Sequence, residues 1–262
     1  MHLPDALVTP AVSIPMLAAM GGAAVYSARR LAKPVRTVTA ADLLDNASTD
    51  EAPRKFGPAL LIKTGVFAAL VFAAQMLNIP IPGTGISWHL TCGVLVAAAL
   101  GAEAGFLAVV IVLAAQALFL ADGGLLAMGW NIFNLAFLPC FVAWPLCRRL
   151  LRRPRAAAAL AAPFSVILGV FGLGVPLWLS GSAPFFAFIL LTLPLYIVAG
   201  LIEGGVTALA LGYIGRDNQS ASSEKKDRRI LIYIAIAAAL LALIALAFSS
   251  QLPDGLEHFF KG

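Results

Sequence analysis

The sequence contains few charged residues. Only 12% of its 262 residues are Asp, Glu, Lys or Arg, whereas 61% are hydrophobic, and the mean hydropathy is +0.92. A soluble domain has about 25% charged and about 45–50% apolar residues. This chain has too little charge to cover a soluble domain with a polar surface, so the composition predicts an integral membrane protein.

Sequence signatures of several enzyme classes are also missing. The segment GPALLIKT superficially resembles a phosphate-binding loop, but Ile62 stands where the spacing G-x-x-x-x-G-K-[ST] requires glycine. The sequence contains no G-x-S-x-G elbow and no H-E-x-x-H helix. These absences argue against an ATPase, a membrane hydrolase and a zinc protease, and we expect no enzymatic activity of the chain's own.

Cysteine is scarce and follows no metal-binding or redox pattern. Cys92, Cys140 and Cys147 lack C-x-x-C spacing, so we interpret them as buried small residues. One alternative stays open. In a helix, Cys92 lies three residues after His89 on the same face, where its thiolate could bind a metal.

Long apolar stretches are abundant, and eight of them are candidates for membrane spans, because crossing a hydrocarbon core of roughly 30 Å takes about 20 helical residues. The third begins with polar residues and is short, so we expect protein rather than lipid around it. We predict an all-α, polytopic membrane bundle of about seven spans plus one appended C-terminal span. The candidates cover residues 6–28, 58–77, 88–101, 103–121, 130–147, 157–179, 185–212 and 230–249.

A polar insert, RDNQSASSEKKDRR, precedes the last span and is typical of a flexible cytoplasmic linker. We therefore divide the chain into a transmembrane domain (1–215), a linker (216–229) and a C-terminal transmembrane helix with an outer tail (230–262).

Lysine and arginine are concentrated in alternate loops. They cluster after the first span, between the fifth and sixth spans and before the last span, whereas the opposite loops contain none. This segregation predicts that the basic loops are cytoplasmic and that both termini face outward. Anionic lipid then accounts for the net charge of +5 without nucleic acid. The loop RRLLRRPR (148–155) is also a candidate docking edge for cytosolic subunits.

The chain begins MHLPD, which places one of its three histidines directly after Met1. The Met1 amine, the His2 peptide nitrogen and the His2 imidazole can close fused chelate rings around one cation. Three nitrogens in a plane suit Ni(II) or Cu(II). The alternative interpretation is that His2 is merely an interfacial residue.

Such a chelate needs a fourth donor, and the remaining histidines are His89 and His258. His89 lies where the outer loop IPIPGTGISW enters an apolar span. A histidine at membrane depth suggests function, although a hydrogen-bonded core histidine is the open alternative. His258, near the outer end of the tail, is a candidate transient ligand.

Three ordered motifs, MHLPD, PGTGISWHLTCG and LGAEAGFLAVVIVLAAQALFLADGGLLAMGWNIFNLAF, resemble the substrate-binding membrane component of cobalt and nickel energy-coupling-factor transporters, the CbiM/NikM family. The resemblance covers residues 1–215 and implies that they form a metal-binding transmembrane domain in a bacterial inner membrane. It implies the capture subunit of an ATP-driven Ni(II) or Co(II) importer, with no resident cofactor. The implied metal site consists of the Met1 amine, the backbone and ring nitrogens of His2, and the ring of His89.

The resemblance also implies partners: a transmembrane coupling subunit and two cytosolic ATPase subunits. The MHLPD start favours nickel over cobalt. Cys92 and Gly93 depart from the paired small residues common after the family histidine. The tail motif PDGLE (253–257) resembles a small accessory membrane subunit, in which a second span normally follows. Because the sequence ends at Gly262, we expect this accessory unit to be truncated.

Polar residues in the apolar motif are candidates to orient a metal-bound imidazole, although helix-to-helix hydrogen bonds would also explain them. Glu203, within the seventh predicted span, could instead be the coupling group of a secondary metal-ion transporter that works without ATPase partners. A membrane metalloenzyme that activates water with His2 and His89 is a further alternative. The orienting candidates are Gln116, Asp122, Asn131 and Asn134.

Overall fold

The structure, a computed structural model, describes residues 2–32, 57–81, 86–216 and 223–248. Helices dominate these residues, and seven are long and apolar enough to cross a membrane. They confirm the prediction of an all-α, polytopic membrane bundle. The seven candidates are Pro10–Ala32, Pro58–Met76, Ala102–Leu120, Met128–Leu150, Pro154–Leu179, Phe185–Ile214 and Arg229–Phe248.

The helices follow one another through short connections. A 3-10 turn (Asp5–Leu7) precedes the first helix, and π-helical segments lie at Gln116–Leu120 and Phe133–Ala143. The second π segment joins two α-helices into one continuous span. The helices are α1 (Pro10–Ala32), α2 (Pro58–Met76), α3 (Gly93–Leu100), α4 (Ala102–Ala115), α5 (Met128–Ile132), α6 (Trp144–Leu150), α7 (Pro154–Leu179), α8 (Phe185–Arg216) and α9 (Ser223–Phe248).

The third predicted span, 88–101, is not a membrane-spanning helix, and that prediction was wrong. Strands β1 (Ile79–Ile81) and β2 (Ile86–Trp88) form an antiparallel hairpin, residues 89–92 are irregular, and only eight residues form α3. Cys92 has a left-handed backbone, with φ of 58°. A right-handed helix cannot continue through that conformation.

The segment 89–100 nevertheless connects opposite ends of the bundle, although α3, with eight residues, is only about 12 Å long. Its start lies beside His2, which contacts Asp122 beyond the last turn of α4. Its end leads into the first turn of α4, where Glu103 pairs with Arg30 at 2.9 Å. The segment is therefore a broken crossing that packs antiparallel to α4.

The contacts also separate the two ends of the bundle. The Arg30–Glu103 pair joins the last turn of α1 to the first turn of α4. Arg155, at the start of α7, donates a hydrogen bond to the Gly212 carbonyl near the end of α8. Since α4 and the span Met128–Leu150 are consecutive and antiparallel, these basic ends lie together, opposite His2.

Glycine lets α7 and α8 approach closely. A Cβ at Gly204 would lie 2.5 Å from the Ala159 carbonyl oxygen, and one at Gly200 would lie 2.8 Å from the Pro163 Cα. Gly205 has open space at the same point. The small residues beside Glu203 thus set the spacing of two membrane helices, as small residues do at many such interfaces.

The C-terminal helix α9 packs against α2, and Ile234 joins the hydrophobic core there. It begins at Ser223, earlier than the predicted start at residue 230. The tail that carries PDGLE and His258 lies outside the described residues, as do residues 217–222 of the predicted linker.

Candidate metal centre

The first residues of the chain, which we call the N-terminal segment (residues 2–9), pack onto the bundle with His2, Leu3 and Val8 buried. Leu3 is fully buried and His2 is 9% exposed. The Leu3 N–H donates to Asn131 Oδ1 at 2.7 Å, and Asn131 Nδ2 donates to the Leu3 carbonyl at 3.1 Å. The Gly124 N–H donates to the same carbonyl. Asn131 therefore pairs with the Leu3 backbone much as a neighbouring strand would.

The loop before α5 (121–127) and the loop between α7 and α8 (180–184) hydrogen-bond to the rest of the N-terminal segment. The Ala127 N–H donates to Asp5 Oδ1 at 2.8 Å. The Ser182 hydroxyl donates to the Leu7 carbonyl at 2.7 Å. Gly124 is required for this fit, because a Cβ there would lie 1.7 Å from Asp5 Oδ1. The ADGG turn is thus shaped to receive the N-terminal segment.

His2 and His89, which the sequence predicts as ligands of one metal, lie against each other. Their rings stack with centroids 5.2 Å apart and planes 12° from parallel. His89 is 5% exposed, and its Nδ1 lies 3.4 Å from the Leu90 carbonyl oxygen. Met1, the third predicted ligand residue, lies outside the described residues.

Asp122 faces the His2 ring. His2 Nδ1 lies 3.2 Å from Asp122 Oδ1, whereas His2 Nε2 is buried without a hydrogen-bond partner in the described part of the chain. Burial raises the pKa of the Asp122 carboxyl, but the hydrogen bond and the electrostatic interaction with His2 outweigh burial and lower the pKa to about 2. A negative charge therefore sits beside the histidine pair.

Side chains alone do not complete a metal site here. Across the ranges that the structure describes, no three His, Cys, Asp or Glu side chains are grouped to hold a metal ion. The two imidazoles supply two nitrogen donors. A four-donor site at this position would need further nitrogens, such as a backbone amide or a terminal amine.

The four predicted orienting residues divide into two pairs. Asp122 contacts His2, and Asn131 holds the Leu3 backbone next to it. Gln116 and Asn134 are buried, and no described residue hydrogen-bonds to either side-chain amide. Only the first pair is placed to fix the position of a histidine.

Glu203 contacts the irregular segment that follows His89. Its carboxylate accepts hydrogen bonds from the Thr91 N–H (3.2 Å), the Thr91 hydroxyl and the Cys92 N–H (2.9 Å). From α2, Gln75 Nε2 donates to the Thr91 carbonyl at 3.1 Å. Irregular backbone at membrane depth is tolerated only when protein satisfies its polar groups. Sequence reasoning identified Glu203 as unusual but missed Gln75 and Thr91.

The proposed helical face shared by His89 and Cys92 does not exist, because residues 89–92 are not helical. Cys92 lines an apolar cavity between α2, α8 and α9 together with Tyr213 and Ile234. Its thiol belongs to the hydrophobic core, as do those of the other two cysteines, which are also buried and free.

These features define a class: a multi-pass membrane protein whose own N-terminal segment folds into the bundle and meets a histidine from a broken crossing. The chain matches the family model of CbiM, described as the cobalt uptake substrate-specific transmembrane region, over residues 2–221. It belongs to the CbiM family.

Individual relatives agree with this assignment. A chain of Archaeoglobus fulgidus named as the fused nickel transport protein NikMN is 36% identical over 193 residues, which are 72% of this chain. The cobalt transport protein CbiM of Geobacter sulfurreducens is 35% identical over 159 residues, which are 55% of this chain. The matched regions span 64% and 44% of these relatives' own lengths.

A solved structure shares the fold. It is described as a truncated transition metal transporter, and it superimposes with a TM-score of 0.66 at 24% identity. The match covers 82% of this chain and 99% of the other. The fold of this chain as a whole therefore matches the fold of a solved structure.

Proposed function

We propose that this chain is the capture subunit of an importer for Ni(II) or Co(II), and that the ion is bound at the outer face by the Met1 amine, His2 and His89. The observation that supports this most directly is that the buried imidazole of His2, in the N-terminal segment, stacks on the buried imidazole of His89. Membership of the CbiM family and the names of the relatives agree with it.

The proposed chemistry is replacement of metal-bound water by nitrogen donors. The amine, the His2 peptide nitrogen and His2 Nδ1 close two chelate rings, and His89 supplies the fourth nitrogen. A planar set of four nitrogens favours Ni(II) over Co(II). Protons compete for the same nitrogens, so affinity falls as the pH falls.

This chelate requires a movement of the His2 ring. A chelate ring that includes the residue's own peptide nitrogen closes through Nδ1, which faces Asp122 in the structure. One ring nitrogen cannot bind Asp122 and a metal together. Metal capture therefore includes rotation of the imidazole about its Cβ–Cγ bond, with the Asp122 charge remaining close to the cation.

Energy for import comes, in this proposal, from a transmembrane coupling subunit and two cytosolic ATPases, while the N-terminus faces outward from the inner membrane. The arginines of the loop 148–155 offer a docking edge at the opposite end from the site. The secondary-transporter alternative needs Glu203 as a coupling carboxylate. That carboxylate already accepts three hydrogen bonds from Thr91 and Cys92, which favours a structural role.

The test is a short extension added before Met1, long enough that His2 no longer lies within three residues of the new N-terminus. The purified chain with its native N-terminus is titrated with Ni(II) at about pH 8, beside a variant that carries an N-terminal Gly-Ser-Gly-Ser extension and a control that carries the same extension at the C-terminus. The extension converts the Met1 amine into an amide and displaces it from its chelate. We expect at least a tenfold loss of affinity for the extended chain and none for the control.

Equal affinity of all three proteins would overturn the proposed donor set. Uptake in cells that lack the ATPase partners distinguishes the transporter classes. Uptake that persists without them would exclude the ATP-driven proposal and favour a secondary transporter.

A further inference from the structure

We infer that Glu203 is a positioning residue of the metal site, which fixes His89 by holding the irregular backbone that follows it. The inference rests on the proposed metal-capture function. It assigns to this intramembrane carboxylate neither proton coupling nor metal ligation, but the placement of His89, which precedes the two residues that Glu203 contacts.

The first observation is how the Glu203 charge is accommodated. The side chain is 1% exposed, and a carboxylate in the interior of a membrane bundle is costly unless it is well paired. Its partners in the described residues are three donors, two backbone N–H groups and one hydroxyl, and no cation. In the described residues, all the hydrogen bonds of this carboxylate are therefore made with Thr91 and Cys92.

The second observation is that these two residues need an external restraint. Cys92 is a non-glycine residue with φ of 58°, a conformation that persists only where its surroundings fix it. Glu203 accepts hydrogen bonds from the N–H groups of Thr91 and Cys92, and Gln75 of α2 donates to the Thr91 carbonyl. The peptide group between Thr91 and Cys92 is therefore held by α2 through its carbonyl and by α8 through its N–H.

The third observation is the position of His89 between two fixed points. Trp88 pairs with Ile79 in the hairpin on one side, and Thr91 is held by Glu203 on the other. His2 is positioned independently, through Asp122 and the Leu3–Asn131 pair. The two imidazoles are thus brought together by separate parts of the bundle, and Glu203 determines the placement of one of them.

The test uses Thr91, because its hydroxyl can be removed with little change in shape. Thr91→Val deletes one hydrogen bond to Glu203, and Thr91→Ser restores it. Thr192→Val is the matched control, since the Thr192 hydroxyl in α8 donates only within its own helix, to the Phe188 carbonyl. Glu203→Gln removes the negative charge and turns an amide N–H₂ toward backbone N–H groups.

Each purified full-length chain, with its native N-terminus, is titrated with Ni(II), and the absorption spectrum of the loaded protein is recorded. Thermal unfolding without metal serves as the check on folding. Partners that orient a metal ligand typically change metal affinity by about 10–100-fold when they are lost. We expect Thr91→Val and Glu203→Gln to weaken Ni(II) binding at least tenfold with an altered spectrum, while Thr91→Ser and Thr192→Val stay within about twofold of the wild type.

A folded Thr91→Val chain with wild-type affinity and spectrum would overturn the inference, whatever the behaviour of Glu203→Gln. The inference would also be overturned if Thr91→Val and Thr192→Val lost Ni(II) affinity equally and the spectrum of Thr91→Val stayed unchanged. That result would indicate general destabilisation of the chain. Failure of the wild-type chain to bind Ni(II) or Co(II) would instead refute the proposed function.

Discussion

At the scale of single residues, the N-terminus is organised by two side chains that contact it directly. Asn131 satisfies both backbone groups of Leu3, and Asp122 faces the His2 imidazole. Because the pKa of Asp122 is lowered to about 2, this carboxyl is fully ionised above the ordinary carboxyl pKa of about 4. It is protonated only as the pH falls toward 2, so it carries a negative charge at the pH of about 8 used for the metal titrations.

Replacement of Asp122 by Asn tests this charge. The amide keeps the size and an acceptor oxygen but removes the negative charge beside the cation, and we expect Ni(II) affinity to fall about 10–100-fold. Glu103→Gln is the control, because that carboxylate pairs with Arg30 at the other end of the bundle. Metal titration of both variants measures the effect. Wild-type affinity in Asp122→Asn would show that the carboxylate does not assist binding.

At the scale of helices, α8 carries Glu203 and also packs closely on α7. The close approach depends on Gly204, whose added Cβ would meet the Ala159 carbonyl oxygen at 2.5 Å. Glu203, which contacts the broken crossing, is adjacent in the sequence to Gly204, which allows α8 to pack closely on α7. A displacement of α8 therefore moves Glu203 away from Thr91.

Gly204→Ala is expected to destabilise the chain by about 1–3 kcal/mol, the usual cost of inserting a methyl group into a filled space. Gly205→Ala places the same methyl group in open space one residue later, and we expect it to be neutral or slightly stabilising in a helix. Thermal unfolding in detergent compares the two. Equal unfolding temperatures would contradict the close packing of α7 on α8.

At the scale of the whole molecule, the basic ends of the helices and the histidine pair lie at opposite ends of the bundle. The positive-inside rule assigns the basic end to the cytoplasm, which places the proposed metal site toward the outside. Under the proposed function, this orientation presents the histidine pair to the incoming ion and the basic end to the proposed cytosolic ATPases.

Cysteine labelling in intact cells tests the orientation. Arg153→Cys introduces an exposed thiol in the loop between α6 and α7, and Leu125→Cys introduces one in the loop before α5. The three native cysteines are buried, so they contribute little background. We expect a membrane-impermeant reagent to label position 125 in intact cells, and position 153 only after the cells are opened. The reverse pattern would invert the topology.

The sequence by itself determined the membrane class, most of the helix positions and the two histidines that meet. Hydropathy, charge segregation and the special chemistry of an N-terminal histidine are local properties that can be read from short segments. The predicted spans 58–77 and 157–179, for example, lie within a few residues of α2 and α7. The same local reasoning failed at 88–101, because the apolar composition of that segment does not reveal a left-handed residue at Cys92.

Only the tertiary structure decided how the histidines are held. Thr91 and Glu203 are 112 residues apart, and Leu3 and Asn131 are 128 residues apart. No local pattern specifies such pairs, since a buried polar group accepts whichever partner the packing of the helices brings to it. Hydrophobic length selects the spans, whereas the need to satisfy every polar group inside the membrane selects the contacts between them.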